Sequence, residues 1–262
     1  MTRLTAWLAG LSALVAPAAA PCGAQGAPGW GGLAAAVALS ALTDQRLSLW
    51  AQSHHDHALD QVARGSGAVG EARYLVPALA GSFVVTRLAA PRAVSDATLR
   101  IGLSYAAADG IESLLKPLVG RHRPTDGRGP WRFKPFRNDE QWHSFPSAHV
   151  VHLFSVARAL ALETDRRWVS TPAYGVATLV GMQRVYTGAH WGCDVVASPA
   201  LALGVATITA DGLRERGLGR VLQPVTGGAV RREAPCATPD AGGESRLRIE
   251  LAPNGLALGW SF

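Results

Sequence analysis

Lys116 and Arg123 stand with six residues between them and Pro124 behind the second, and Arg184 leads at fixed intervals to His190 and Asp194. Between these stretches lies Phe145-Pro146-Ser147-Ala148-His149. The set holds three fixed cations, two histidines and a carboxylate, an inventory suited to attack on phosphorus. A phosphoryl group in transfer carries charge on its equatorial oxygens, so its catalysis is mainly positioning and electrostatic stabilisation. Lys116 offers a point charge, whereas Arg123 and Arg184 offer planar forks that each grip two oxygens. Pro124 stiffens the loop that aims Arg123.

These residues need helices behind them. Pro146 occupies a position where prolines start helices, with Ser144 as the expected cap. Ser147 and Ala148 then fall in a first turn, where unpaired N–H groups and the helix dipole favour an anion. His190 and Asp194, four apart at an expected helix start, share one face. That spacing predicts a carboxylate accepting from His190 Nδ1–H, which leaves Nε2 to attack phosphorus. His149 is then the candidate that protonates the leaving oxygen and later activates water. Each piece alone is weak: charge clusters usually sit in water, His-Asp pairs are common on helix surfaces, and Pro-Ser is most often only a cap. Their combination is specific.

In this order the residues resemble the three signature motifs of the type 2 phosphatidic acid phosphatase and vanadium haloperoxidase superfamily, over about Tyr74 to Gly212. The resemblance implies an all-α bundle and a phosphatase reaction without metal or other cofactor. It also implies a catalytic set of His190, His149 and Asp194, and a phosphate cradle of Lys116, Arg123, Ser147, Ala148 and Arg184. Two positions depart from the pattern: Ala148 replaces the usual Gly, and Gln183 the usual Ser before Arg184. Ala148 still offers its N–H, and Gln183 removes one hydroxyl but no charged group.

The chain of 262 residues is 48% hydrophobic and 17% charged, with a net charge of +6. It is long enough for a substantial core. The positive charge favours anionic partners. Nucleic acid is not among those expected: no zinc-finger or helix-turn-helix pattern and no basic run interleaved with aromatics stands out.

Arg3, the apolar stretch Leu4–Val15 and the small residues from Ala16 to Ala24 follow the order of a secretory signal peptide, here 1–24. An uncleaved membrane helix is the rival, disfavoured by the short apolar core. Residues 25–220 form the expected phosphatase domain, with the motif core at 74–212. Its helical patterns number about six, with interruptions expected at Asp44 and Arg46 and a break at Gly65-Ser66-Gly67. Ser95 or Asp96 is the expected cap of the helix that carries Lys116. The uncharged windows Trp168–Gln183 and Val195–Ala210 fall short of the roughly 20 residues of a span, so a bundle outside the bilayer is favoured over six spans. The tail 221–262 carries a β-hairpin, with Pro253-Asn254-Gly255 as its turn, expected to pack against the bundle.

Cys193 and Cys236 either pair in an oxidising compartment or remain a buried thiol and a tail thiol. His54-His55-Asp56-His57, with Asp60, reads as a metal cluster or, more simply, as an exposed polar helix. His143 is a candidate pocket residue and His152 a packing residue, while Glu112 is placed to pair with Lys116. Trp131, Phe133, Phe136 and Trp142 either touch the pocket or an acyl chain, or dock onto the fold, the simpler reading. The whole points to an exported, periplasmic or membrane-associated enzyme acting on a phosphorylated lipid or small phosphate ester, with a membrane surface as partner. An integral membrane protein is the alternative placement. The functional rivals are a vanadate-dependent haloperoxidase and a catalytically silent envelope or lipid-binding protein.

Overall fold

The computed structural model describes residues 30–164 and 166–215 and two C-terminal strands. The expected signal segment 1–24 and Cys236 lie outside the described residues. Among the described residues there are seven α-helices: α1 (Trp30–Ser53), α2 (His57–Val69), α3 (Ala72–Ala89), α4 (Arg92–Val119), α5 (Ala148–Thr164), α6 (Arg167–Tyr186) and α7 (Gly192–Glu215). The strands β1 (Arg246–Ala252) and β2 (Gly255–Ser261) pair antiparallel, with Leu251 opposite Leu256 and Leu247 opposite Trp260. This is the hairpin expected around Pro253-Asn254-Gly255, and it lies in a second compact unit, Gln223–Phe262.

The bundle is built around α5, which packs against α4, α6 and α7. Its Val150, Val151, Leu153, Phe154 and Ala157 are all buried, the pattern of a helix that is apolar on most sides because neighbours cover it. Tyr174, Ala177 and Val180 of α6 and Val195 and Ala202 of α7 complete the core. At the periphery, α3 packs on α4 but buries none of its residues, and Val84, Val85 and Leu88 face outward. Helix α7 alone among the described helices is long and apolar enough to cross a membrane, with half of its apolar window buried inside the bundle. The end of α2 and α3 pass the same test together across a 46° bend.

Several boundaries differ from expectation. Helix α1 runs through Asp44 and Arg46, because Asp44 turns inward to a buried partner, Arg121. Helix α2 continues through Gly65-Ser66-Gly67 to Val69, so the first two segments are separate helices and the count rises to seven. Helix α4 starts at Arg92 with Pro91 at its cap position, while Ser95 bonds back to the Arg92 carbonyl inside the helix. Helix α5 starts at Ala148, two residues after Pro146.

The long segment between α4 and α5 is ordered by its own pairing. Gly120 ends α4 in the left-handed conformation (φ 58°), and a Cβ there would lie 2.1 Å from the Lys134 carbonyl oxygen. Only glycine fits both demands. Next to it Lys134 N–H donates to Gly120 O (2.7 Å), His122 N–H to Arg132 O (3.0 Å) and Ser144 N–H to Arg121 O (3.0 Å).

A buried ionic cluster ties this segment to α1 and α7. Arg121 is 3% exposed and donates to Asp44 Oδ2 (2.8 Å), to Asp194 Oδ1 and to the Pro130 carbonyl (3.1 Å). Asp44 Oδ1 in turn accepts from Cys193 N–H (2.8 Å) at the start of α7. Truncating one member of such a cluster strands a buried charge, which costs about 3–5 kcal/mol. Asp44→Ala is therefore expected to lower the thermal midpoint by several degrees, while Asp139→Ala, from the exposed Arg137 pair, shifts it little. Equal midpoints for the two variants would refute the structural role of the cluster.

Candidate active site

The residues singled out by spacing gather at one end of the bundle. Lys116 comes from the last turn of α4, Arg123 from the following segment, Ser147 to His149 from the start of α5, and Arg184 from the last turn of α6. His190 precedes α7, which begins at Gly192, so His190 and Asp194 are not neighbours on one helix face. The turn between α6 and α7 fixes it instead: His190 N–H donates to the Arg184 carbonyl (3.2 Å), as does Ala189 N–H (3.1 Å).

The expected Asp194–His190 contact is replaced by a relay. His190 Nδ1 lies 2.6 Å from the Ser144 carbonyl oxygen, so Nδ1 carries the proton and Nε2 keeps its lone pair. Ser144 Oγ donates to Asp194 Oδ2 (2.6 Å), which also accepts from Trp191 N–H (3.1 Å), while Arg121 engages Oδ1. Asp194 thus positions Ser144, whose backbone orients His190. Burial pushes the Asp194 carboxyl up to about 6, whereas Arg121 is held above its usual range by Asp194, Cys193 and Asp44, which outweigh its own burial. The two directions oppose each other. Every group facing Asp194 is a donor, so carboxylate is the form the site accommodates at neutral pH.

Ser144 is accordingly no helix cap. Ser147 takes that position, its carbonyl accepting the first helical bond from Val151 N–H (2.9 Å). Its own N–H is held by Ser198 Oγ (2.9 Å) rather than left for an anion. Its hydroxyl makes no capping bond: Ser147 Oγ, His149 Nε2 and Arg184 Nε are buried polar atoms with no hydrogen-bond partner. Buried orphans of this kind carry a large desolvation penalty unless a ligand engages them. Ala148 opens α5 with its N–H in the first turn, where the helix itself supplies no acceptor.

The fields in the site are positive, of the sign an anion neutralises. Arg184 is drawn down to about 10 by burial and then by Arg123, and burial lowers Arg123 as well. His149 is pushed down to about 3 by burial, then by Arg184, His152 and Lys116. His190 is held well below its usual range by burial, then by Arg123 and Arg184. Both histidines are neutral in the free protein. That suits a nucleophile, and it leaves the proton donor dependent on the negative charge a phosphate would bring. Glu112 Oε1 sits 2.6 Å from Lys116 Nζ, the pairing expected from their spacing; Oε1 has no directed hydrogen bond, so the contact is chiefly ionic.

One positioning element escapes a motif reading. The end of α2 lies against His149: the Gly67 backbone faces the ring, and a Cβ on Gly70 would lie 2.7 Å from His149 Cδ2. The Gly70 carbonyl also holds His152 Nδ1 (3.1 Å), whose Nε2 meets Asp109 (2.7 Å). Gln183, the residue in place of the usual Ser, uses the room left by Gly67, where a Cβ would lie 3.2 Å from its Nε2. Only the density of glycines at 65, 67 and 70 hinted at this close approach.

Other expectations resolve as follows. His143 bonds the Arg137 carbonyl (2.8 Å) within the long segment, and His152 is buried against Tyr105. The His54–His57 stretch is exposed; His55 pairs with Asp60, which also accepts from Tyr186. Asp109, Glu112 and His152 instead form a compact group with ligand-type atoms within 4.8 Å, already engaged with one another and with Lys116. Cys193 is a buried thiol hydrogen-bonded to Asp44 (2.8 Å). Trp142 is buried, whereas Trp131, Phe133 and Phe136 are not.

Residues 97–217, which contain all three motifs, match the model of the PAP2 superfamily. Two proteins named lipid A 1-phosphatase, from Rhizobium johnstonii and Rhizobium etli, are each 35% identical over 102 residues, or 38% of this chain. The match spans 41% and 43% of the length of those relatives, less than half of each. A crystal structure of a transmembrane PAP2-type phosphatidylglycerolphosphate phosphatase from Bacillus subtilis is similar in fold, with a TM-score of 0.52 at 24% identity. That similarity covers 71% of this chain and 95% of the other.

Two outcomes are expected. Gly70→Ala forces His149 to move and lowers kcat on the order of 10²-fold with KM little changed, because small misplacements of a catalytic group are that costly. Gly81→Ala, which meets nothing within 4 Å, is its neutral control. Equal activity of the two variants would remove the glycine elbow from the account. In nuclear magnetic resonance titrations, His149, identified through His149→Gln, stays neutral to about pH 3 in the free protein and titrates at higher pH when inorganic phosphate is bound. An unmoved titration in saturating phosphate would exclude it as the proton donor.

Proposed function

We propose, from the match of residues 97–217 to the PAP2 superfamily, that the chain is a phosphatase that hydrolyses a lipid phosphate monoester or pyrophosphate through a phosphohistidine. The observation that carries this reading is that Lys116, Arg123 and Arg184 act together on His190, and Lys116 and Arg184 on His149, while Ser147 Oγ, His149 Nε2 and Arg184 Nε are buried without partners. Such a pocket is complementary to a compact anion with several oxygens.

In the proposed reaction Lys116, Arg123, Arg184 and Ser147 hold the non-bridging oxygens, with the Ala148 N–H at the positive end of α5. His190 Nε2 attacks phosphorus, and the P–O bond to the leaving group breaks as that oxygen takes the proton from His149. The Ser144 carbonyl, braced by Asp194, stabilises the charge that develops on the His190 ring. Water then attacks the phosphohistidine, giving its proton to His149, and phosphate leaves with His190 restored.

The likeness to proteins named lipid A 1-phosphatase supports a lipid phosphate as substrate. The outward apolar residues of α3, together with Leu39, Leu42 and Leu49 of α1, support a membrane-associated enzyme. The signal-like order of the N-terminus supports a site on the export side.

The test compares phosphate release from phosphatidic acid and from an isoprenoid pyrophosphate with bromide oxidation in added vanadate. Phosphate release is expected, and His190→Ala reduces it by about 10³-fold or more while circular dichroism is unchanged. A labelled phosphoryl group should be trapped on the wild-type chain as an acid-labile, base-stable adduct that is absent from His190→Ala. Bromide oxidation without phosphatase activity would instead establish the haloperoxidase.

A further inference from the structure

The segment Trp131-Arg132-Phe133-Lys134-Pro135-Phe136-Arg137 interleaves aromatic and basic side chains, contrary to the expectation that no such run is present. All residues from 131 to 140 are exposed. Trp131 is 63% exposed and Phe136 77%, so the simpler reading, in which these aromatics dock onto the fold, fails for both, while Phe133, 46% exposed, also turns its ring to Arg121 (5.9 Å). Of the four aromatics in this part of the chain, only Trp142 is buried.

The backbone beneath is fastened, so the exposure does not come from a loose loop. Lys134 N–H bonds Gly120 O (2.7 Å), Phe136 N–H bonds Pro117 O (2.6 Å), and Arg121 and Phe133 form an isolated antiparallel bridge. Phe136 holds a positive φ of 63°, rare for a bulky residue. These anchors connect the segment directly to the end of α4 that carries Lys116 and to the stretch that carries Arg121 and Arg123. The apolar surface also continues onto α4, where Leu114 is 66% and Leu118 50% exposed, on either side of the Pro117 that holds Phe136.

We propose that residues 131–137, with Leu114 and Leu118, form a docking surface for an anionic lipid bilayer that sets the catalytic pocket at head-group depth. Tryptophan and phenylalanine partition to the boundary between head groups and acyl chains, and lysine and arginine to the phosphates just above it. Arg132, Lys134 and Arg137 supply that charge; Arg137 shares its own with Asp139. Single-stranded nucleic acid also stacks on aromatics set among cations, but it has no use for the adjoining leucine surface. The inference rests on the proposed lipid-phosphatase reading and identifies the surface that such an enzyme applies to its substrate.

Docking is read without catalysis by placing the full chain in vesicles of phosphatidylcholine and phosphatidylglycerol that carry brominated acyl chains. The emission lost in Trp131→Phe relative to wild type is Trp131's own, and it should be blue-shifted and quenched by the bromines. An unquenched difference spectrum overturns the proposal even if the enzyme is active. Catalysis gives a second readout that does not depend on the first. For phosphatidic acid in anionic mixed micelles, Trp131→Ala/Phe136→Ala should raise apparent KM about tenfold at unchanged kcat. Hydrolysis of soluble para-nitrophenyl phosphate should stay within about twofold, since that ester needs no bilayer. Arg132→Ala should weaken the preference for anionic over neutral micelles. Equal losses on both substrates, or no loss on either, would count against docking. So would anisotropy showing that a labelled oligothymidine binds more tightly than the anionic vesicles do. Failure of wild type to hydrolyse either ester would sink the phosphatase reading but leave the quenching result to decide the docking surface.

Discussion

A guanidinium without access to water organises the catalytic end of this bundle. Arg121 is enclosed by Asp44 from α1, Asp194 from α7 and the Pro130 carbonyl from its own segment. Removing these charges from water is costly, and the cost is recovered only when all partners are in register. The cluster therefore sets the relative placement of three pieces of chain that are distant in sequence. It bears on chemistry through one more step: Asp194, fixed by Arg121, holds the Ser144 hydroxyl, and the Ser144 carbonyl fixes the ring of His190. A structural ion cluster and the orientation of the proposed nucleophile are thus one network, and Arg121 and Asp44 act on His190 without touching it.

The charged members of the site were legible in the sequence because each motif is local, and its spacing survives whatever the rest of the chain does. Lys116 with Glu112 is the simplest case, a pair one turn apart on α4. The partners of Asp194 were not legible, since four-residue spacing places it near His190 only if the helix includes both, and α7 starts after His190. Asp44 looked like an interruption of an apolar helix. Its burial depends on a partner 77 positions away, which no local pattern encodes. Gly65-Ser66-Gly67 read as a break for a similar reason. Gly67 makes room for Gln183, and Gly70 just beyond α2 for His149, whereas helix propensity registers only the weakness of glycine.

The departure at Gln183 is a further case of long-range compensation. The larger amide lies where Gly67 leaves space, so the substitution at the end of α6 and the glycine in α2 fit each other. The backbone of that same Gly67 faces His149 and favours its protonated form. An enlarged residue beside Arg184 is thereby linked sterically to the orientation of the candidate acid, although neither residue belongs to the other's motif.

The electrostatics of the site follow from the same economy of space. Lys116, Arg123 and Arg184 act together on His190; Glu112 offsets Lys116, Glu140 and Glu71 partly offset Arg123 and Arg184, and Asp194 is committed to Arg121. Burial, and then the positive field of Arg184 and Lys116, disfavour a proton on His149, so the free site is a poor acid. A phosphate dianion reverses this by cancelling the field at the atoms it occupies. In the proposed reaction the substrate therefore raises the proton affinity of the group that must protonate its leaving oxygen. A neutral molecule of the same shape would bind without arming His149, which makes the charge of the substrate a condition of turnover as well as of binding.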